Sequence, residues 1–155
     1  MKTYAKFSAC RKYRFALWRI WDESKPYAMF IGLNPSTADE VENDNTITRC
    51  INFAKEWGYG GLCMANLFAY RATDPAVMKT ELKPVGEGNN EWLVELALDA
   101  GIVIAAWGND GSHFNRSAEV LKLIPSLHYL KLNNTGEPAH PLYLSSSLKP
   151  QPMII

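Results

Sequence analysis

The chain is short of everything a metal, membrane or bulk-DNA protein usually displays. Of its 155 residues only three are cysteine, and Cys10, Cys50 and Cys63 lie far apart. No C-x-x-C pair occurs, and His113, His128 and His140 stand at no metal-ligand spacing from a cysteine, which argues against a zinc site or a four-cysteine iron–sulfur cluster. No metal and no cofactor is expected. Each cysteine reads as a small buried apolar residue, and reduced thiols fit a cytoplasmic protein. No apolar run approaches the roughly 20 residues that a membrane helix needs. Lys2, Lys6, Arg11, Lys12, Arg14 and Arg19 interrupt the region where a secretory signal would carry its apolar core. Sixteen basic residues cancel sixteen acidic ones, so the positive excess typical of proteins bound tightly to bulk duplex DNA is missing. A Walker-type glycine loop is missing too, as is a Ser-His-Asp order with a nucleophile elbow. There is no internal repeat, low-complexity tract or linker, so residues 1–155 read as one domain.

What is present alternates between strand and helix. Tyr4 to Trp21 has period two and many aromatics, which predicts strands and a hairpin near Ser8 to Lys12 within an N-terminal segment of residues 1–22. On that alternation Lys12 and Arg14 share a face, available to phosphates or simply solvated on an edge strand. A core of residues 27–144 follows. Its first strand, Ala28 to Leu33, is apolar on both faces, as a buried parallel strand is. Ile47, Cys50, Ile51, Ala54 and Trp57 recur at helical spacing, with Asn43 or Asp44 as cap and Gly58 as stop. Leu62 to Ala65 is a second strand. Asn89 or Asn90 caps a helix carrying Trp92, Leu93, Leu96 and Ala100. Ile102 to Ala106 is a third strand, a helix from about Phe114 to Ile124 ends at Pro125, and Leu127 to Leu132 is a fourth strand. Residues 145–155 read as an irregular tail. The fold class is therefore α/β: a three-layer αβα sandwich around a mainly parallel four-stranded sheet, plus the N-terminal hairpin.

In such folds ligands bind beyond the carboxyl ends of the strands. The polar clusters Asn34-Pro35-Ser36-Thr37, Asn66-Leu67-Phe68, Trp107-Gly108-Asn109 and the stretch leading to His140 each follow one strand, so they should meet on one edge. Asn66 offers a donor beside an acceptor, which suits the edge of a nucleobase. Phe68 is close enough in sequence to stack on a planar ring. His140 can donate to a carbonyl oxygen that gains charge. Asn34 could hold a water, and Asp39 or Asp44 could polarise one or stabilise a cation. The same residues have plainer uses: Asn34 to Thr37 and Asn66 as turns, Trp107 as core, and His140 as a surface histidine. The expected partner is a nucleic acid or nucleotide-like ligand.

Longer strings carry a resemblance. Gly32-Leu33-Asn34-Pro35-Ser36-Thr37-Ala38-Asp39, Asn43-Asp44-x-Thr46-Ile47-x-Arg49-Cys50, Trp57-Gly58-Tyr59-Gly60-Gly61, Asn66-Leu67-Phe68-Ala69-Tyr70-Arg71-Ala72-Thr73-Asp74-Pro75 and Gly136-x-Pro138-x-His140-Pro141-Leu142-Tyr143-Leu144 resemble the prokaryotic and phage domain-of-unknown-function family 1643. The motif order is also similar, more distantly, to the uracil-DNA glycosylase superfamily. That second resemblance implies a base-reading Asn66, a water-orienting Asn34, a catalytic His140 and a residue at Leu142 that enters the duplex. It implies hydrolysis of an N-glycosidic bond, with Asp39 or Asp44 supporting the sugar cation and Pro35, Ser36, Thr37, Phe68, Arg71, Trp107, Asn109 and Tyr143 as further substrate contacts. Two other outcomes stay open: a hydrolase of a free modified nucleoside or nucleotide, and a module that binds a nucleotide without turnover.

Overall fold

The computed structural model describes residues 1–153. In chain order they form strands β1 (Lys2–Phe7), β2 (Arg14–Ile20) and β3 (Tyr27–Gly32), helix α1 (Asn45–Glu56), strand β4 (Gly61–Asn66), helices α2 (Pro75–Thr80) and α3 (Asn89–Asp99), strand β5 (Ile102–Ala105), helix α4 (Arg116–Leu123) and the short strands β6 (His128–Tyr129) and β7 (Gln151–Pro152). Short 3-10 turns lie at Asn109–Asn115 and Pro141–Tyr143.

The fold is mixed α/β, and its sheet has seven strands among the described residues, in the order β1-β2-β4-β3-β5-β6-β7. The expected count of four is corrected here. The N-terminal hairpin continues the sheet, because β2 pairs antiparallel with β4 from Leu17↔Met64 to Ile20↔Gly61. β4, β3, β5 and β6 are mutually parallel. The tail expected to be irregular supplies β7, which pairs antiparallel with β6. Pro152 is tolerated there because an edge strand needs no donor on its outer side. Positions 154 and 155 of that tail lie outside the described residues.

β3 shows why its sequence is apolar throughout. Ala28 and Phe30 face one core, with Ile47, Cys50, Ile51, Phe53 and Ala54 of α1, while Met29 and Ile31 face the other, with Leu93 and Leu96 of α3, Val120 of α4 and Ile124 just after it. Helices therefore cover both faces. Fully burying each of the larger side chains, such as Met29, Phe30 and Ile31, contributes roughly 1.5–3 kcal/mol before entropy is counted. Phe30, Phe53 and Trp57 form an aromatic cluster, with centroids 5.8 Å apart for Phe30–Trp57 and 5.3 Å for Phe53–Trp57.

Asp44, not Asn43, caps α1 by accepting the Ile47 N–H at 2.9 Å, and Gly58 follows the helix at φ +83°. At α3 the cap is Gly88, and Asn89 is buried inside the first turn. α4 begins at Arg116 because Phe114 and Asn115 both adopt positive φ and reverse the chain first. Cys50 and Cys63 are buried as expected, but Cys10 is exposed at the hairpin tip. No helix of the described residues is long and apolar enough to cross a membrane.

The loop between β3 and α1 is held from beneath by Arg19. Its fully buried guanidinium donates to Asn43 Oδ1 at 2.8 Å, to the Asp39 and Glu42 carbonyls at 2.6 and 3.1 Å, and to the Trp18 carbonyl at 2.9 Å. Replacing it leaves four part-buried acceptors without their donor. Arg19→Met is expected to cost on the order of 3 kcal/mol in urea unfolding; a loss below about 1 kcal/mol would show that the loop does not depend on it.

Candidate functional site

Beyond the carboxyl ends of β3, β4 and β5 lies a cleft of about 770 Å³. Asn34, Pro35, Ser36, Asp44, Asn66, Trp107, Asn109, His140 and Leu142 all line it. Residues more than a hundred positions apart meet there because three parallel strands end side by side, and the Pro141–Tyr143 turn closes over them. A second hollow of about 570 Å³, near the amino ends of β5 and β6 among Trp57, Tyr59, Ile102 and His128, holds none of the site residues expected from the sequence.

Asn66 occupies the last position of β4, paired with Gly32 of β3. It is buried, and its Nδ2 has no hydrogen-bond partner. A buried amide left unpaired costs about 1–3 kcal/mol, and Asn89 Oδ1 and Arg116 Nη2 behind it are buried without partners as well. Gly32 makes room: a Cβ there would lie 2.9 Å from Asn66 Oδ1 and 2.8 Å from Met64 Cε. The backbone is fixed from behind. Asn89 Nδ2 donates to the Asn66 and Leu67 carbonyls at 3.0 and 3.2 Å, and Arg116 Nε donates to the Leu67 carbonyl at 2.8 Å. Beyond the paired strands, Leu67 and Phe68 donate their N–H groups to the Gly32 and Leu33 carbonyls, both at 2.9 Å.

Asn34 uses its Nδ2 on the Ala72 carbonyl at 2.8 Å and the Pro35 carbonyl at 3.2 Å. Its Oδ1 is left as an acceptor suited to a water hydrogen. His140 has an exposed surface, yet its ring lies in the concave cleft, where neighbouring atoms displace part of its hydration. That desolvation holds its pKa below the ordinary histidine value, and the more distant Asp44 pulls the other way. His140 Nδ1 accepts the Leu142 N–H at 3.3 Å, so the neutral ring carries its proton on Nε2.

Arg14 is the residue that sequence periodicity missed. The register runs from Lys6↔Ala16 to Phe7↔Arg14, which leaves Phe15 as an extra residue in β2. Such a bulge re-aims the side chains beside it. Ala16 and the Trp92-stacked Phe15 both serve the α3 side, and Arg14 turns to the α1 side instead of sharing a solvated face with Lys12. It is 2% exposed and lines the cleft, donating from Nη1 to the Ala38 carbonyl at 2.9 Å while Nε has no partner. Burial pushes its pKa down to about 10, so it stays charged at neutral pH.

Other expected residues fall elsewhere. Phe68 is fully buried against His113 and presents no face on which a ring could stack. The Asp39 carboxylate accepts the Glu42 and Val41 N–H groups, both at 2.8 Å, which hold its pKa below the usual range; it shapes the loop and does not line the cleft. Asp44 is the carboxylate of that pair that does. Thr37 and Arg71 line a neighbouring recess instead. Tyr143 is 94% exposed and is not part of the cleft lining. Trp107 lines the cleft at only 1% exposure, with its indole N–H 3.3 Å from Glu137 Oε1. The Asn109 side-chain oxygen accepts from Asn133 and Thr135 at 2.9 and 2.7 Å, tying down the loop that leads to His140. Asp110, also in the lining, is paired with Lys79 at 2.6 Å.

The depressed His140 pKa has a measurable consequence. Between that depressed value and the ordinary 6.5, the folded protein binds fewer protons than the unfolded chain, so stability rises with pH. The contribution is complete above pH 6.5 and is lost as pH falls through that window. An NMR titration should give a His140 midpoint below 6.5, with the neutral ring protonated on Nε2. A midpoint at or above 6.5, or the other tautomer, contradicts the geometry.

No curated protein and no solved structure matches the chain. The family described as Protein of unknown function (DUF1643) matches residues 14–142, and the chain belongs to that family.

Proposed function

We propose that the cleft recognises a nucleobase and that the protein hydrolyses its N-glycosidic bond, in the manner of the uracil-DNA glycosylase superfamily. The observation that carries this reading is the unpartnered Asn66 amide, buried at the end of β4 and facing the same cleft as Asn34 and His140. An amide matches the paired donor and acceptor of a base edge, and a base would satisfy the group that the protein leaves open. The parallel run β4-β3-β5-β6 within the seven-stranded sheet, with helices on both faces and the cleft at the strand ends, is compatible with this reading.

In this reading the bond between base and sugar breaks with its electron pair moving to the base. A water held through Asn34 Oδ1 adds to the sugar carbon, and its proton ends on the departing base. His140 Nε2–H donates to the base oxygen as charge builds there, which a neutral imidazole does without needing prior protonation. Asp44, the carboxylate of the cleft lining that is not tied into an ion pair among the described residues, supports the sugar cation in this reading. Asp39 is not needed, since it is committed to the loop. Apolar contact to the flat faces of the base falls to Pro35, Met64 and Leu142, because Phe68 is covered.

A second reading, binding without turnover, is favoured by one observation: Asp44 already uses one carboxylate oxygen to cap α1. Purified protein incubated with uracil-containing, mismatched and modified-base DNA and with free nucleosides separates the two. Turnover predicts abasic product or released base, lowered roughly 100- to 1000-fold by His140→Ala, the usual effect of removing one such donor. Thermal stabilisation by a ligand recovered intact, with no base released from any substrate, would overturn catalysis and leave the binding module.

A further inference from the structure

Although the chain is neutral overall, its cations are not evenly spread. Ser36, Ala72 and Thr73 line both the cleft and an adjoining recess of about 450 Å³, so the two are continuous. The remaining walls of the recess are Arg11, Lys12, Thr37, Tyr70 and Arg71. Buried Arg14 stands close behind them, near enough for the Arg14 and Arg71 charges to oppose one another.

The recess is built from fixed parts. The Arg71 N–H donates to the Lys12 carbonyl at 2.8 Å, the Ala72 N–H to the Pro35 carbonyl at 2.9 Å, and the Arg14 N–H to the Ala69 carbonyl at 2.9 Å. These bonds tie the hairpin, the loop after β3 and the segment after β4 into one surface. The Arg71 guanidinium is held over the Phe7 ring, 4.8 Å from its centroid, and donates from Nη1 to the Arg11 carbonyl at 3.2 Å. Two carboxylates are nearby. Glu40 is consumed by a two-pronged pair with Arg11, at 2.7 and 3.1 Å, and Asp39 by the Val41 and Glu42 N–H groups. Lys12 and Arg71 make no salt bridge among the described residues, and exposed Lys12 makes no side-chain hydrogen bond there.

We propose that this recess is a phosphodiester subsite, which holds the backbone beside the nucleotide whose base enters the cleft. The ligand is accordingly a nucleic-acid strand and not a free nucleoside. This rests on the reading of the cleft as a base pocket and adds the partner that the reading leaves open. Ser36 and Thr37 supply hydroxyl donors at the junction, Lys12 a flexible ammonium, and Arg71 a guanidinium set over Phe7, with Nε and Nη1 on the Ser36 and Arg11 carbonyls and Nη2 left to donate. Arg49 and Arg116 take no part: Arg49 lies over Phe53, and Arg116 is buried on the Leu67 carbonyl.

Binding of a short single-stranded deoxyoligonucleotide, a deoxynucleoside 5′-monophosphate and the parent nucleoside, measured across a range of salt, tests this directly. The wild-type protein should bind the oligonucleotide at least tenfold more tightly than the nucleoside, with the monophosphate in between. The double variant Lys12→Ala/Arg71→Ala should remove most of the oligonucleotide advantage. It should also flatten the slope of log K against log salt by about 1.4, at about 0.7 per phosphate contact on a single strand. Nucleoside affinity should not change. Lys12→Glu, at an exposed side chain with no partner, gives the same test without risk to folding. Equal oligonucleotide and nucleoside affinity, an unaltered salt slope in both variants, or no oligonucleotide binding would each overturn the proposal. Full affinity of the monophosphate alone would assign the phosphate to a free nucleotide and overturn the strand. Asn66→Ala separates the two layers: unchanged nucleoside affinity in that variant, with the Lys12 dependence intact, removes the base pocket but not the phosphate subsite.

Discussion

The site depends on how β3 and β4 stay locked together where they end. Past the paired positions Gly32 and Asn66, the Leu67 and Phe68 N–H groups still reach the β3 side, at the Gly32 and Leu33 carbonyls. A side chain at position 32 would collide with the Asn66 amide, so the close approach needs a glycine. From the opposite face, Asn89 and Arg116 take the carbonyls that would otherwise be stranded when the strand turns into loop. The result is a strand end fixed from several directions, carrying a buried side-chain amide whose Nδ2 has no partner. A buried polar group is expensive unless it is used, and Asn66 Nδ2 shares that cost with Asn89 Oδ1, Arg116 Nη2 and the Nε of Arg14 in the cleft wall.

Around that amide the charges are few and placed separately. Arg14 brings a buried cation to the cleft, Asp44 faces it at longer range from the α1 cap, and His140 is kept neutral by desolvation. No salt bridge joins Arg14 to a carboxylate among the described residues. In a partly dry cleft such charges act strongly on whatever enters, because screening by water is weaker there. A neutral imidazole with a fixed tautomer and a permanent guanidinium are together a donor-rich setting, suited to oxygen atoms that gain negative charge. This is chemistry of the strand ends and not of any single loop, which explains why contributions come from β2, β3, β4, β5 and the turn at Pro141.

Much of this could be read from the residues. Strands buried on both faces have unbroken apolar runs, so β3, β4 and β5 were visible, and α1 showed its stripe from Ile47 onwards. Because parallel strands present their carboxyl ends together, the convergence of Asn34, Asn66 and His140 followed from strand order without any contact being known. What periodicity cannot reveal is a single inserted residue. The bulge at Phe15 reverses the alternation of β2, which hid Arg14 inside an apparently solvated face. Phe68 misled for a related reason: a strand-end residue can point to core or cleft, and the choice is set by packing against His113 and Met78, not by its neighbours in sequence. β7 has two residues, one of them Pro152, and pairs only because β6 leaves an edge free. No local signal marks such a strand.

The central claim is that one amide at the end of β4 meets the edge of a base. Side-chain NMR of the Asn66 amide and the His140 ring, recorded while a deoxynucleotide strand is titrated in, addresses it most directly. The account predicts that both sets of resonances move together and saturate at the same ligand concentration. Saturation of the protein with both sets unmoved, while signals elsewhere shift, would contradict it.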